Sequence, residues 1–148
     1  MIYIGIDPGK NGGIAVLTPE IGGTIAEVYK YSNDRLIAVI KAHEGKARAT
    51  VEKVSARPHQ GVVSMFNFGA NYGAIIGILE ALEVEYKTVT PQRWKRAMQV
   101  TKDKQSSIDK AKEIYKGINL RATDRCRTDH DGMAEALLIA TYGVQLWR

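Results

Sequence analysis

The first thirty residues alternate between short apolar segments and turn residues. Segments 2–6, 12–17 and 24–29 have strand length, and they are separated by turn sequences rich in proline and glycine. The first segment has almost no polar interruption, which is typical of a strand that is buried on both faces. The pattern therefore predicts three consecutive β-strands, the first two joined as a hairpin.

After these strands, segments in which apolar residues recur at helical spacing alternate with segments that are typical of strands. Pro91 suits the first turn of a short helix, because that turn leaves its backbone N–H groups unpaired. We predict strands at 48–54 and 85–89, and helices at 35–43 (capped by Asn33), 62–82, 92–98, 130–147 and from Asp103 or Ser106 onward. This order predicts an α/β fold, with a mixed sheet and helices on its faces.

The long segment at 62–82 contains regularly spaced glycines. Gly69, Gly73 and Gly77 recur every four residues and therefore share one helix face. We expect this face to pack closely against a strand or another helix, and it is also our candidate for contact with a second copy of the chain. Phe66 and Phe68 are expected in the core.

The composition is that of one globular domain. The chain has 148 residues, of which 45% are apolar and 25% charged, without repeats or low-complexity tracts. Its single cysteine, Cys126, excludes an internal disulfide and fits a reducing cytoplasm. We find no signal-peptide pattern and no apolar run that approaches membrane-spanning length, so we expect a soluble cytoplasmic protein without a membrane partner.

The charge balance favours a polyanionic partner. Lysine and arginine outnumber the acids by 21 to 16, which gives a net charge of +5 at pH 7 and a pI of about 9.3. The basic residues are concentrated at 90–104 and at 121–127. Either run could follow a phosphate backbone or could be ordinary solvated surface.

Four acidic residues occupy positions where burial is expected. Asp7 ends the first strand, and Glu52 lies between valines in the predicted strand at 48–54. Asp131 and Glu135 are four residues apart at the start of the last helix, on a face that continues into apolar residues. An ionised carboxylate in such a setting is costly unless a cation or strong hydrogen-bond donors compensate its charge.

Structural explanations exist for most of these acids. Asp7 could nucleate the turn that follows it, and Glu52 could be an edge-strand acid paired with a neighbouring lysine or arginine. Asp131 could interact with the helix dipole while Asp129 caps the helix. Glu135 is harder to explain in this way, because it lies beyond the first helical turn and between apolar residues.

A shared cleft would explain all four acids at once. Converging carboxylates repel one another strongly in a low-dielectric site unless divalent cations neutralise them. Oxygen ligands with few histidines or cysteines nearby favour Mg²⁺ or Mn²⁺ over Zn²⁺. Such a cluster in a basic protein is typical of two-metal phosphodiester hydrolysis.

Three segments, 4–9, 51–54 and 131–140, match one known family in the expected order. They resemble the RuvC-type Holliday-junction resolvases of the RNase H-like superfamily, above all the small phage branch. The resemblance spans the whole chain. It implies a single RNase H-like nuclease domain at 1–148, with a five-stranded mixed sheet whose first three strands are antiparallel and which is flanked by helices.

The resemblance also implies an activity. Such a crossover junction endodeoxyribonuclease uses Mg²⁺ or Mn²⁺, two ions per site, to nick four-way junctions and other branched DNA symmetrically, and it leaves 5′-phosphates. Because a four-way junction is two-fold symmetric, symmetric nicking implies a homodimer. The implied setting is DNA recombination and repair in the cytoplasm of a bacterium or of a phage-infected host.

The family's functional residues carry over onto matching positions of this chain. By this resemblance the metal-binding acids are Asp7, Glu52, Asp131 and Glu135. A lysine that precedes the last helices in the family helps to position the scissile phosphate or the water; Lys104 matches it best, and Lys102 is the alternative. We predict further phosphate contacts from four basic side chains: Arg57, Lys95, Arg96 and Lys102.

The chain departs from the family pattern in several respects. The bacterial enzymes have an aspartate three residues before the last acid of the final helix, where this chain has Gly132, and their last acid is aspartate rather than Glu135. We therefore leave open which of Asp129, Asp131 and Glu135 bind metal. The bacterial enzymes also carry an aromatic residue shortly after the mid-chain glutamate, whereas here the first one comes as late as Phe66.

Other functions fit parts of this pattern. Sugar-kinase and actin-like ATPases also open with an aspartate and a glycine-rich hairpin, but they need two such domains and a second phosphate loop, so we expect no nucleotide cofactor. A junction-binding protein without cleavage would have no use for four acids in apolar settings. A less selective nuclease that cuts flaps, forks or RNA–DNA hybrids would carry the same acids and stays open.

Overall fold

Five strands and five helices make up the structure, a computed structural model that describes all of residues 1–148. The strands are β1 (Ile2–Asp7), β2 (Gly13–Glu20), β3 (Gly23–Lys30), β4 (Ala47–Glu52) and β5 (Glu85–Val89). The helices are α1 (Asn33–Ala42), α2 (Val62–Ala81), α3 (Pro91–Met98), α4 (Lys104–Ile114) and α5 (Asp131–Leu146). Every element predicted from the sequence is present, with ends that differ by a few residues.

One mixed sheet contains all five strands in the order β3-β2-β1-β4-β5. The first three strands are antiparallel neighbours, whereas β4 runs parallel to β1 and β5 runs parallel to β4. The predicted sheet is therefore confirmed. The parallel register pairs Ile6 with Val51, so the next residues, Asp7 and Glu52, lie at the same end of neighbouring strands. We call this end the carboxyl edge of the sheet.

Helices cover both faces of the sheet and form two hydrophobic cores. Helices α1 and α2 pack on one face, and α3, α4 and α5 pack on the other. Helix α5 lies directly on β1, because a Cβ added to Gly5 would be 2.2 Å from the carbonyl oxygen of Ala136. This close approach brings the neighbouring residue, Glu135, to the end of β1.

The helix caps differ in part from the prediction. Ser32 caps α1 in place of Asn33, since the Ser32 hydroxyl accepts a hydrogen bond from the Arg35 N–H at 3.0 Å. Asn33 is engaged elsewhere, because its side chain accepts from the Tyr31 hydroxyl at 2.7 Å. Of the two predicted starts of α4, the structure has the first, and the carboxylate of Asp103 caps the helix.

Helix α5 is capped by His130 rather than by Asp129. The Nδ1 atom of His130 accepts a hydrogen bond from the Met133 N–H at 3.1 Å. Asp129 instead forms a salt bridge with Lys112 of α4, so its carboxylate is not available to the first turn of α5.

Helix α2 differs most from its prediction. Ile75 and Leu79 are fully buried on the sheet. The glycine face, however, points to solvent, and nothing lies within 4 Å of a Cβ built on Gly69, Gly73 or Gly77. The expectation that this face packs within the chain is therefore wrong. Because apolar residues surround the whole helix, its sequence pattern does not reveal which side meets the sheet.

The aromatic residues of α2 are exposed as well. Phe66 is 75% exposed and Phe68 is 40% exposed, so the expectation that both lie in the core is wrong. Contrary to the sequence analysis, α2 is also long and apolar enough to cross a membrane by length and composition. Its buried side nevertheless belongs to the core of the domain.

Candidate active site

Three carboxylates converge at the carboxyl edge of the sheet. Asp7 ends β1, Glu52 ends β4, and Glu135 lies in the second turn of α5. The carboxylate oxygens that these residues offer lie within 4.8 Å of one another. Two parallel strands and one helix thus bring together three of the four acids that the sequence singled out. We call them the carboxylate group.

The fourth acid, Asp131, lies at the rim of this group. Its charge contributes to the raised pKa of Asp7, which places it nearby. Its own carboxylate, however, pairs with Lys104 at 3.2 Å and is 30% exposed. Asp129, the remaining alternative among the predicted metal ligands, is held by Lys112. The structure therefore groups neither Asp131 nor Asp129 with the other three acids.

The packing of α5 leaves no room for a side chain at position 132. A Cβ on Gly132 would lie 2.1 Å from the carbonyl oxygen of Asn11, because the start of α5 packs on the turn between β1 and β2. An aspartate at this position does not fit. The acids that α5 presents are therefore Asp131, one residue earlier, and Glu135, three residues later.

Burial and mutual repulsion raise the pKa of two of the carboxyl groups. The pKa of Asp7 lies well above its usual value, first because of burial and then because of the neighbouring charges of Glu52, Glu135 and Asp131. Lys95 acts in the opposite direction. Burial is also the largest cause of the raised pKa of Glu52, and the charge of Glu135 adds to it.

The carboxylate group has the properties of a site for a hard divalent cation. Asp7 is 9% exposed, and neither a hydrogen bond nor a salt bridge compensates its charge. Oxygen ligands without histidine or cysteine are the donor set that Mg²⁺ and Mn²⁺ prefer. A bound cation would remove the cost of keeping these carboxylates ionised together.

A buried tryptophan orients one of the carboxylates. Trp94 has no exposed surface, and its indole N–H donates a hydrogen bond to Glu52 Oε2 at 2.6 Å. This bond lowers the pKa of Glu52 and so opposes the effect of burial. Sequence reasoning missed this role. The available signal was that α3 begins directly after β5, whose end lies at the carboxyl edge.

Lys95 lies within the site, and Lys104 lies at its rim. The Nζ atom of Lys95 is 3.3 Å from Glu135 Oε1, and both side chains are largely buried. The sequence analysis placed Lys95 only among the phosphate contacts and assigned the positioning role to Lys104. Lys104 is 73% exposed and pairs with Asp131. Two lysines therefore border the carboxylate group.

A basic groove opens beside the carboxylates. It is lined by all four side chains predicted to contact phosphate, namely Arg57, Lys95, Arg96 and Lys102. Its other lining residues come mostly from α3 and the segment after it, and none is acidic. We call it the α3 groove. Because Lys95 also pairs with Glu135, a phosphate backbone in this groove would run past the carboxylate group.

Comparison with known proteins identifies the fold. No protein-family model and no curated protein matches the sequence. A structure described as "T. thermophilus RuvC in complex with Holliday junction substrate" matches with a TM-score of 0.65 and 18% identity, covering 99% of this chain and 96% of that chain. A "Thermus thermophilus RuvC structure" matches with a TM-score of 0.64 and 21% identity, covering 99% and 97%. The chain therefore has the RuvC-type, RNase H-like fold over nearly its entire length.

Proposed function

We propose that the protein is a metal-dependent endonuclease that resolves four-way junctions and related branched DNA. The observation that carries this proposal is the carboxylate group beside the α3 groove, on a fold shared with a RuvC structure that contains a Holliday junction substrate. The carboxylates would bind a divalent cation, and the α3 groove would bind a polyanionic substrate. The products would be symmetric nicks that carry 5′-phosphates.

The metal ligands would be Asp7, Glu52 and Glu135. Asp131 would join them by giving up its salt bridge with Lys104 and binding a metal ion instead. We propose two Mg²⁺ or Mn²⁺ ions per site. When bound, they would activate a water for in-line attack and stabilise the leaving 3′ oxygen. The chain contributes a preorganised set of charges that stay close together only because β1, β4 and α5 hold them there.

Neighbouring side chains would position these ligands and the substrate. Trp94 keeps the Glu52 carboxylate in one orientation through its hydrogen bond. Lys95 connects Glu135 to the α3 groove, so its ammonium group would meet the scissile phosphate once cations compensate Glu135. Lys104 would hold the phosphate or the water from the rim, the role that the sequence resemblance assigns to it.

We infer that the protein acts as a homodimer that uses the exposed face of α2. Val62, Val63 and Phe66 are 85%, 73% and 75% exposed, and the open glycine face continues along the same helix. A contiguous exposed apolar surface marks an interaction site, and glycines let two helices approach closely. A two-fold pair would present two carboxylate groups to a two-fold symmetric junction.

Cleavage of an end-labelled synthetic four-way junction tests the proposed function. The junction is compared with a linear duplex and a flap, each in Mg²⁺ and in EDTA, on a denaturing gel. We expect paired, metal-dependent nicks near the crossover and none in the duplex. Equal cutting of all three substrates would overturn the junction selectivity but not the carboxylate chemistry. Tight junction binding without cleavage would instead indicate an architectural protein.

A further inference from the structure

A second cationic groove follows the edge strand β3. It is lined by basic side chains from three parts of the chain: Lys30 at the end of β3, Arg35 on α1 and Arg121 in the segment before α5. No acidic residue lines it. We call it the β3 groove. Neither the carboxylate chemistry nor the α3 groove accounts for it.

The β3 groove opens at the same edge of the sheet as the carboxylates. Asp7 pairs with Gly13, and Gly13 pairs with Lys30. The backbones of Asp7 and Lys30 are therefore two strand spacings apart, roughly 10 Å. The α3 groove begins at the end of β5, the other edge strand, and reaches the carboxylate group through Lys95. Because five strands span roughly 19 Å, the two grooves flank the carboxylate group across the width of the sheet.

The charges of the β3 groove are not neutralised within the chain. None of the salt bridges in the structure involves Lys30, Arg35 or Arg121. The Arg35 guanidinium lies 4.6 Å from the centre of the Tyr29 ring, a stacked arrangement that leaves the N–H groups at its edge free for an acceptor. The nearest acid on the strand, Glu27, accepts a hydrogen bond from the Tyr29 hydroxyl. Unpaired cations gathered in one groove favour a polyanionic ligand.

We propose that the β3 groove binds the sugar–phosphate backbone of the DNA segment that lies on the far side of the scissile phosphate from the α3 groove. This inference rests on the proposed function and extends it. DNA that crosses the carboxylate group would be held by cations on both sides of the cut. Two separated anchor points fix the position of the phosphate between them, whereas a single groove lets the strand slide.

Two double variants of equal charge test this proposal. Lys30→Ala/Arg121→Ala removes two exposed cations from the β3 groove, and Lys41→Ala/Lys46→Ala removes two exposed cations near the start of β4, at the opposite end of the sheet. Affinity for a four-way junction is measured by fluorescence anisotropy in EDTA over a series of NaCl concentrations. The first variant should bind about 10-fold more weakly, with a log–log salt slope smaller by about 2. The Lys41→Ala/Lys46→Ala variant should change neither the affinity nor the salt slope.

A hydroxyl-radical footprint of the bound junction supplies the positional readout. Lys30→Ala/Arg121→Ala should lose protection on one side of the cleaved phosphate only. Melting temperatures of the two variants should match, since all four side chains are exposed. Equal affinities and equal footprints would overturn the β3 groove proposal and leave the nuclease intact. If the unmodified protein bound no junction, the proposed function would fail, and this inference with it.

Discussion

At the scale of single residues, the proposed chemistry would depend on a charge that the fold itself disfavours. Asp7 is almost completely buried, and its pKa is raised by burial and by the adjacent acids. A raised carboxyl pKa means that the folded chain binds a proton at Asp7 more tightly than the unfolded chain does. The metal-free fold is therefore penalised when Asp7 is ionised, and it regains stability as the pH falls through the raised pKa. The proposed function and the stability of the fold would thus oppose each other at this position.

Asp7→Asn should abolish cleavage while it stabilises the metal-free fold. The amide has the same shape but removes the buried charge, and each kcal/mol gained should raise the melting temperature by about 2–4 °C. The gain should be largest above the raised pKa of Asp7 and should shrink as the pH falls through that pKa and Asp7 of the unmodified protein becomes protonated. Calorimetry in EDTA measures it, and a gel shift should show junction binding unchanged or tighter. Lower stability together with lost binding would make Asp7 a structural residue.

Trp94→Phe should weaken metal binding without unfolding the core. Phenylalanine keeps most of the buried ring but removes the donor to Glu52, so the carboxylate loses its fixed orientation. Affinity for Mn²⁺, measured by titration calorimetry, should fall about 10-fold. The matched control is Trp147→Phe, which removes an indole N–H that donates to Thr50 at 3.2 Å, outside the carboxylate group. Equal Mn²⁺ affinity in the two variants would contradict the positioning role.

At the scale of elements, the sequence predicts the features that depend on local patterns but not those that depend on contacts between distant segments. The order of strands and helices follows from local patterns, such as the uninterrupted apolar run of β1 and the helix starts at Pro91 and Asp103. The packed side of α2 has no such signal, because the helix is apolar all round. The acids of the site could be predicted because each is a charged residue in an apolar segment of the sequence. The Trp94 hydrogen bond and the fit of Gly132 depend on how distant segments dock. The start of α3 directly after β5 indicates only that Trp94 lies near the carboxyl edge, and no local pattern indicates the fit of Gly132.

Gly132→Ala tests the docking of α5 on the β1–β2 turn. The added Cβ would lie 2.1 Å from the Asn11 carbonyl oxygen, so the start of α5 must shift, at a cost of about 1–3 kcal/mol. Gly23→Ala, in open space at the start of β3 and away from α2, should instead stabilise the fold by about 0.4–1 kcal/mol, because alanine lowers the conformational entropy of the unfolded chain. Urea denaturation measures both changes. Similar values for the two variants would contradict the close contact at Gly132.

At the scale of the whole molecule, the proposed function would use different surfaces for DNA and for a second subunit. The carboxylate group lies at one edge of the sheet, with the α3 groove and the β3 groove on its two sides. The exposed face of α2 carries no such charge and is apolar. In the proposed function, the cationic grooves at the site would bind DNA, and the apolar helix face elsewhere would pair the subunits. Paired nicking would require both, because one carboxylate group would cut one strand.

Gly73→Glu should prevent the proposed dimer from forming and leave the protein monomeric. The new side chain meets no other atom of the same chain within 4 Å of its Cβ, so each copy should fold, but two facing glutamates would be desolvated and repel each other across the interface. Sedimentation analysis should show the loss of the dimer, and junction cleavage should change from paired to single nicks. Ile21→Glu is the control, since it also replaces an exposed residue by glutamate, on the turn between β2 and β3. A Gly73→Glu protein that stays dimeric and nicks in pairs would place the subunit contact on another surface, and the open face of α2 would then need a different partner.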